Sequence, residues 1–112
     1  METIDIETLA AIAGGTARFE GVAAGSPVSF FVVRSAPGQG ASRHRHPYVE
    51  TFVVLEGEIE TVVDGERRML GPGTIAVIPA MAWHEFTNRS ERRALMVNIH
   101  PSPEIVQEDW QG

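Results

Sequence analysis

Turn residues recur so often along this chain that few folds can accommodate it. Gly14-Gly15, Gly21, Gly25-Ser26-Pro27, Pro37-Gly38-Gln39-Gly40, Gly57, Asp64-Gly65, Gly71-Pro72-Gly73, Pro79 and Pro101 cut it into short runs. Glycine frees φ and proline removes a backbone donor, so these points end regular structure. The runs between them are rich in Val, Ile, Phe and Thr, which suit a pleated, half-buried surface. Strands are expected over residues 17–23, 28–35, 49–56, 59–63, 67–70, 74–78, 85–88 and 93–100. Many short strands at such spacing predict an all-β sandwich or barrel. Asp64-Gly65 is the clearest hairpin signal, because a type I′ turn needs positive φ at both central residues. It should join 59–63 to 67–70. Helix is expected only at the ends. Ser102-Pro103 reads as a helix start, after which Ile105, Val106 and Trp110 share a face. Residues 5–12 read as a short helix or a strand. There is no internal repeat, and residues 1–112 form one domain.

Composition removes whole classes of function. The net charge is −6, whereas nucleic acids and anionic membranes need basic surfaces, so neither is an expected partner. There is no cysteine, hence no thiol nucleophile, disulfide or thiolate ligand. All nine cationic side chains are arginines, so a lysine Schiff base is impossible. The acidic N-terminus lacks the apolar run of a signal peptide, and no apolar stretch is long enough to span a membrane. A cytoplasmic location is the expectation.

The histidines carry the chemistry. Positions 44, 46 and 50 differ by even numbers, so His44, His46 and Glu50 would point to one face of an extended strand. Two imidazoles and a carboxylate make a partial shell for a divalent metal. His84 lies beyond two turn signals, where the chain can fold back to supply a fourth ligand.

These residues sit in a recognisable frame. Gly38-x5-His44-x-His46-x3-Glu50-x6-Gly57 resembles the first conserved motif of the cupin superfamily. Gly73-x5-Pro79 followed by His84-x3-Asn88 resembles the second. The resemblance implies an antiparallel double-sheet jelly-roll barrel, with His44, His46, Glu50 and His84 as metal ligands. It also implies a homodimer, as small cupins commonly form. Where the second motif usually has glycine two residues after its proline, this chain has Met81. That puts the loop's conformation in question and suggests a thioether at the pocket mouth. Three imidazoles and a carboxylate suit one divalent transition ion, Fe, Mn, Ni, Cu or Zn, better than Mg or Ca. Asn88 is a candidate to hold an imidazole from behind.

Other residues are weighed beside these. His100 ends a strand and is a candidate acid/base group, with a polar strand end as the plainer reading. Tyr48 is a candidate to hydrogen-bond a metal-bound molecule, or it packs at the rim. Phe30, Phe52, Val54, Met69, Val77, Trp83, Phe86 and Met96 are candidates to line a pocket, although most should be core. Phe52, Met81, Trp83 and Phe86 are the pocket set chosen. Arg43 and Arg45 should face outward. The arginines read first as solvated surface, with Arg34 or Arg18 as an alternative clamp for an acidic substrate at a barrel mouth. Two functions follow. One is a metal enzyme acting on a small molecule, a dioxygenase or isomerase. The other is a non-catalytic module that binds or senses a metabolite or metal.

Overall fold

The turn frame generates two five-stranded antiparallel sheets. The computed structural model describes residues 1–10 and 15–112, so positions 11 and 12 of the ambiguous N-terminal segment, and Gly14, lie outside the described residues. In chain order the strands are β1 (Ala17–Phe19), β2 (Ser29–Ser35), β3 (Gly40–Arg45), β4 (Glu50–Glu56), β5 (Ile59–Val63), β6 (Glu66–Leu70), β7 (Ile75–Ile78), β8 (His84–Asn88), β9 (Ala94–His100) and β10 (Glu108–Asp109). One sheet runs β1-β2-β9-β4-β7 and the other β10-β3-β8-β5-β6. Only β1-β2 and β5-β6 are neighbours both in sequence and in a sheet. At every other connection the chain crosses between sheets, which is the double-sheet winding of a jelly roll.

The hairpin forms where Asp64-Gly65 predicts it. Asp64 and Gly65 both have positive φ, 47° and 84°, and Val63 pairs with Glu66. Inner and outer faces alternate strictly along the central strands. Glu50, Phe52 and Val54 of β4 and Ala94, Met96, Asn98 and His100 of β9 are buried. Phe52, Val54, Ile59, Leu70, Phe86 and Met96 form an apolar core between the sheets. Phe30 faces away from it, and Met69 and Val77 are exposed, so none of these three lines the interior.

Three expectations need correction. The first strand ends at Phe19, and Gly21–Ala24 is a 3₁₀ turn closed by Gly25 in the left-handed region. The C-terminal helix does not form; the helical element is α1 (Ile6–Leu9), capped by the Asp5 carboxylate. Residues 101–107 instead make an irregular strap, and β10 then pairs with β3. Several backbone groups in and beside the strap bond distant partners instead of closing i→i−4 bonds. Pro103 O accepts from Val22 N–H, Ile105 N–H donates to Glu20 Oε2, and Trp110 N–H donates to Arg43 O. The third correction is β3, which the expected strand set lacks. Its sequence, Gly-Ala-Ser-Arg-His-Arg, has no apolar alternation to betray it. Gly40 lets it run close to β8, since a Cβ there would lie 1.9 Å from Phe86 O.

Candidate metal centre

The two sheets bring four donors to one point. His44 stands on β3, His46 just beyond it, Glu50 at the start of β4 and His84 at the start of β8. One ligand atom from each lies within 4.8 Å of all the others, and all four residues are buried. The single-strand geometry expected from even spacing is not what assembles them. Between His46 and Glu50 the chain crosses from one sheet to the other, so the carboxylate faces the imidazoles across the barrel. The crossing falls at Pro47-Tyr48, where proline withholds its backbone donor.

Each imidazole is oriented from behind by a main-chain carbonyl. Ser42 O lies 2.6 Å from His44 Nδ1, Val106 O 2.7 Å from His46 Nδ1 and Ala82 O 2.9 Å from His84 Nδ1. A carbonyl only accepts, so Nδ1 carries the proton in all three. A neutral imidazole then presents a bare Nε2 lone pair. Yet Nε2 of His84 and of His46 lie 2.9 and 3.2 Å from Glu50 Oε1. Lone pairs facing a carboxylate at that range repel unless a cation or a proton lies between them. His46 Nε2 is also buried without an aligned hydrogen-bond partner. The donor set therefore fits a borderline divalent cation.

Electrostatics follow the same geometry. Burial raises the Glu50 pKa, but the imidazoles of His100, His46 and His84 outweigh it and hold the carboxyl far below the usual range. Burial pushes His44 down, and the neighbouring imidazoles add to this against the Ser42 carbonyl. For His46 burial also works downward, but Glu50 and the Val106 carbonyl bring it out above the ordinary histidine value.

His100 forms part of the wall. Its Nε2 lies 3.0 Å from Glu50 Oε2, off the axis of a good hydrogen bond. Its Nδ1 lies 2.6 Å from the Tyr48 hydroxyl, whose oxygen accepts from Val106 N–H at 3.2 Å. Tyr48 stacks on His46 with the rings 5.3 Å apart.

A cavity of about 450 Å³ opens on this cluster. Phe31, Val33, Ala41 and Phe86 give it apolar walls; Asn98, Gln39 and Gln107 give polar ones; Arg18 and Arg34 also line it. Of the expected pocket set only Phe86 lines it. Phe52 is fully buried core, edge-on to His84 and Phe86. Trp83 lies on the outer surface, where Arg45 covers its ring at 4.2 Å and Trp110 meets it edge-on. Met81 is half exposed and lies outside the cavity, because its N–H is fixed to His46 O at 2.8 Å and turns the side chain outward. Val54 and Met96 are core. Asn88 touches no ligand: it bonds Ser35 O and Arg92 O and so holds the turn after β8. Sequence reasoning passed over Asn98. Its signal is parity, since it shares the inner face of β9 with Met96 and His100.

A model of the cupin domain matches residues 31–100. This chain belongs to the cupin family. The cupin is 43% identical over 68 residues to the polyketide synthase CurC of Streptomyces cyaneus, covering 60% of this chain and 44% of CurC. It is 35% identical over 104 residues to protein SchB of Streptomyces halstedii, covering 88% of this chain and 68% of SchB. Gentisate 1,2-dioxygenase 1 of Aquipseudomonas alcaligenes is 40% identical over 57 residues, half of this cupin but 16% of the enzyme. The cupin thus spans less than half the length of CurC and of the dioxygenase. Among solved structures, a double-stranded β-helix protein of Klebsiella pneumoniae superposes with a TM-score of 0.77 at 18% identity, over 98% of this chain and 92% of that one. An oxalate decarboxylase of Lactobacillus farciminis gives 0.78 at 19% identity, over 87% and 31%. No helix among the described residues is long and apolar enough to cross a membrane.

Proposed function

We propose that this cupin holds one divalent transition metal at His44, His46, Glu50 and His84 and acts on a small molecule in the adjoining cavity. A dioxygenase-type reaction is the class best supported. The observation that carries the metal assignment is the set of three backbone-anchored imidazoles turned on one buried carboxylate. When bound, such an ion supplies Lewis-acid polarisation of a substrate oxygen and, if redox-active, a route to dioxygen chemistry. Support for an oxygenase comes from the gentisate enzyme and from a 5-nitrosalicylic acid 1,2-dioxygenase of a Bradyrhizobium species, 33% identical over 64 residues. A second reading is an isomerase or lyase step without oxygen, since Lewis-acid polarisation of a substrate oxygen needs no redox-active ion.

The chain's own residues divide the remaining work. Val106 N–H donates to the Tyr48 oxygen, which leaves the phenolic hydrogen free for His100 Nδ1. That sets the His100 proton on Nε2, facing the cavity beside Glu50. We assign His100 as acid/base group and Tyr48 as the residue that fixes its tautomer. Phe86 and Phe31 keep the wall beside the ion apolar, which strengthens charge interactions there. The homodimer is also proposed. Exposed Leu55, Ile75 and Val77 on the outer face of β4 and β7 offer it an apolar patch.

Elemental analysis of the purified protein against His46→Ala tests the metal. About one equivalent is expected in the wild type and a small fraction of that in the variant. Metal at the variant's level in the wild type, under iron-, manganese- and nickel-replete growth, overturns the assignment. Oxygen uptake by Fe(II)-loaded protein with vicinal-diol and hydroxy-acid substrates then separates the two readings. Uptake no faster than the His46→Ala background favours the oxygen-independent one.

A further inference from the structure

The cavity is charged against the rest of the molecule. The chain carries a net charge of −6, yet the ionic residues lining the cavity, apart from histidines, are Arg18, Arg34 and Glu50. In the metal reading Glu50 is committed to the cation, so the two arginines are the wall's remaining charges. Arg34 is engaged with Glu7 Oε1 at 2.7 Å and with Gly15 O at 3.4 Å. Arg18 is more available. It lies on β1 opposite Phe31, with its guanidinium 5.6 Å from the centroid of that ring, and Phe31 itself lines the cavity. One of its nitrogens meets Glu20 Oε1 at 3.2 Å, while Glu20 Oε2 accepts from Ile105 N–H. Glu20 is thus pinned to the strap and holds Arg18 over the cavity, with most of its five donors unused among the described residues.

A second, independent feature points to the same occupant. Asn98 is 4% exposed, lines the cavity, and has a buried Oδ1 with no hydrogen-bond partner among the described residues. An acceptor oxygen buried without a donor calls for a hydroxyl or amide hydrogen from an occupant. Asn98 is on β9, two residues before His100 on the same inner face, and pairs with Phe31 on one side and Phe52 on the other. It therefore lies between Arg18's strand and the ligand residue Glu50's strand.

We infer that the substrate is a small hydroxy acid: its carboxylate is held by Arg18, and its hydroxyl, turned toward His44, His46, Glu50 and His84, donates to Asn98 Oδ1. Phe31, Val33 and Phe86 flank the space for a flat, apolar body. Arg18 and Asn98 are substrate-binding residues that set specificity. This assignment rests on the metal reading above.

Calorimetric titration of the Zn(II)-loaded full chain with 2-hydroxybenzoate and with its uncharged counterpart, 2-hydroxybenzamide, tests it. The acid is expected to bind about tenfold tighter or more, the scale of a charge-assisted hydrogen bond. Arg18→Gln erases that preference and Arg18→Lys keeps most of it. Asn98→Leu weakens both probes about tenfold with metal content unchanged. Asn98→Asp, a near-isosteric control for folding, repels the acid and spares the amide. Equal or absent binding of the two probes by metal-loaded protein overturns the substrate class and leaves the metal assignment standing. So does a preference that survives Arg18→Gln. Protein that takes up no metal overturns both.

Discussion

The polar and apolar ends of the barrel interior are built by the same strands. β4 gives Glu50 to one end, then Phe52 and Val54 to the other; β9 gives His100 and Asn98, then Met96 and Ala94; β8 gives His84, then Phe86. At the apolar end the inner side chains pack on one another, with Thr61 as the polar exception. At the polar end imidazole lies against imidazole, and His46 Nε2 and Asn98 Oδ1 have no aligned hydrogen-bond partner among the described residues. One end is settled by folding alone, while the other has its groups placed for something that folding does not supply. The apolar end carries the stability that lets the polar end stay unsatisfied.

Phe52→Ala should break this arrangement most severely. The ring is fully buried at the junction of the two ends, edge-on to both His84 and Phe86. Truncation should cost about 3–5 kcal/mol, a large share of the stability of a domain this size. Urea denaturation gives the value. A loss below about 1 kcal/mol would show that the core does not carry the fold.

At the opposite end the larger effect should come from adding an ion. Zn(II) at a hundred times its dissociation constant contributes about 2.7 kcal/mol by mass action. In a domain of this length that raises Tm by roughly 10 °C. Glu50→Gln keeps the shape of the side chain, removes its charge, and should abolish most of the rise. An unchanged wild-type Tm, or an equal rise in both proteins, would sink the view that the polar end is built around a cation.

Much of this contrast is legible in the sequence, and the exceptions have physical causes. Strands such as Ile59–Val63 and Ala94–His100 announce themselves by alternation and by the turns that bound them. The histidine spacing marks the donors, but parity cannot tell one strand from two strands joined by a sheet crossing. His44 and Glu50 therefore keep the expected phase while sitting in opposite sheets. Gly40–Arg45 shows no apolar run because its outer side carries Arg43 and Arg45, which Trp110 and, from β10, Glu108 cover. Trp83 neighbours a ligand in sequence, yet in a strand adjacent residues point to opposite faces, and that sends the indole outside. The strap's register on β3 depends on contacts spanning about sixty residues or more, such as Val106 O with His46, which no local pattern encodes.

Met81 is the finest test, because it separates the backbone of the polar end from its chemistry. Its φ is +65°, the left-handed region that glycine enters freely. A side chain there costs roughly 1–2 kcal/mol, and the cost is borne where Met81 N–H ties the loop to His46 O. Met81→Gly relieves that strain but frees the unfolded chain, which returns about 0.4–1 kcal/mol. The side chain is half exposed and buries little, so packing adds only a small loss. Net stability should change by no more than about 1 kcal/mol, with metal affinity unaltered. Met81→Val, stiffer at χ1 and worse placed at positive φ, should destabilise by more. Urea midpoints for the three proteins give the order. A glycine variant that lost several kcal/mol would mean that the methionine side chain supports the loop, and the strain argument would fail.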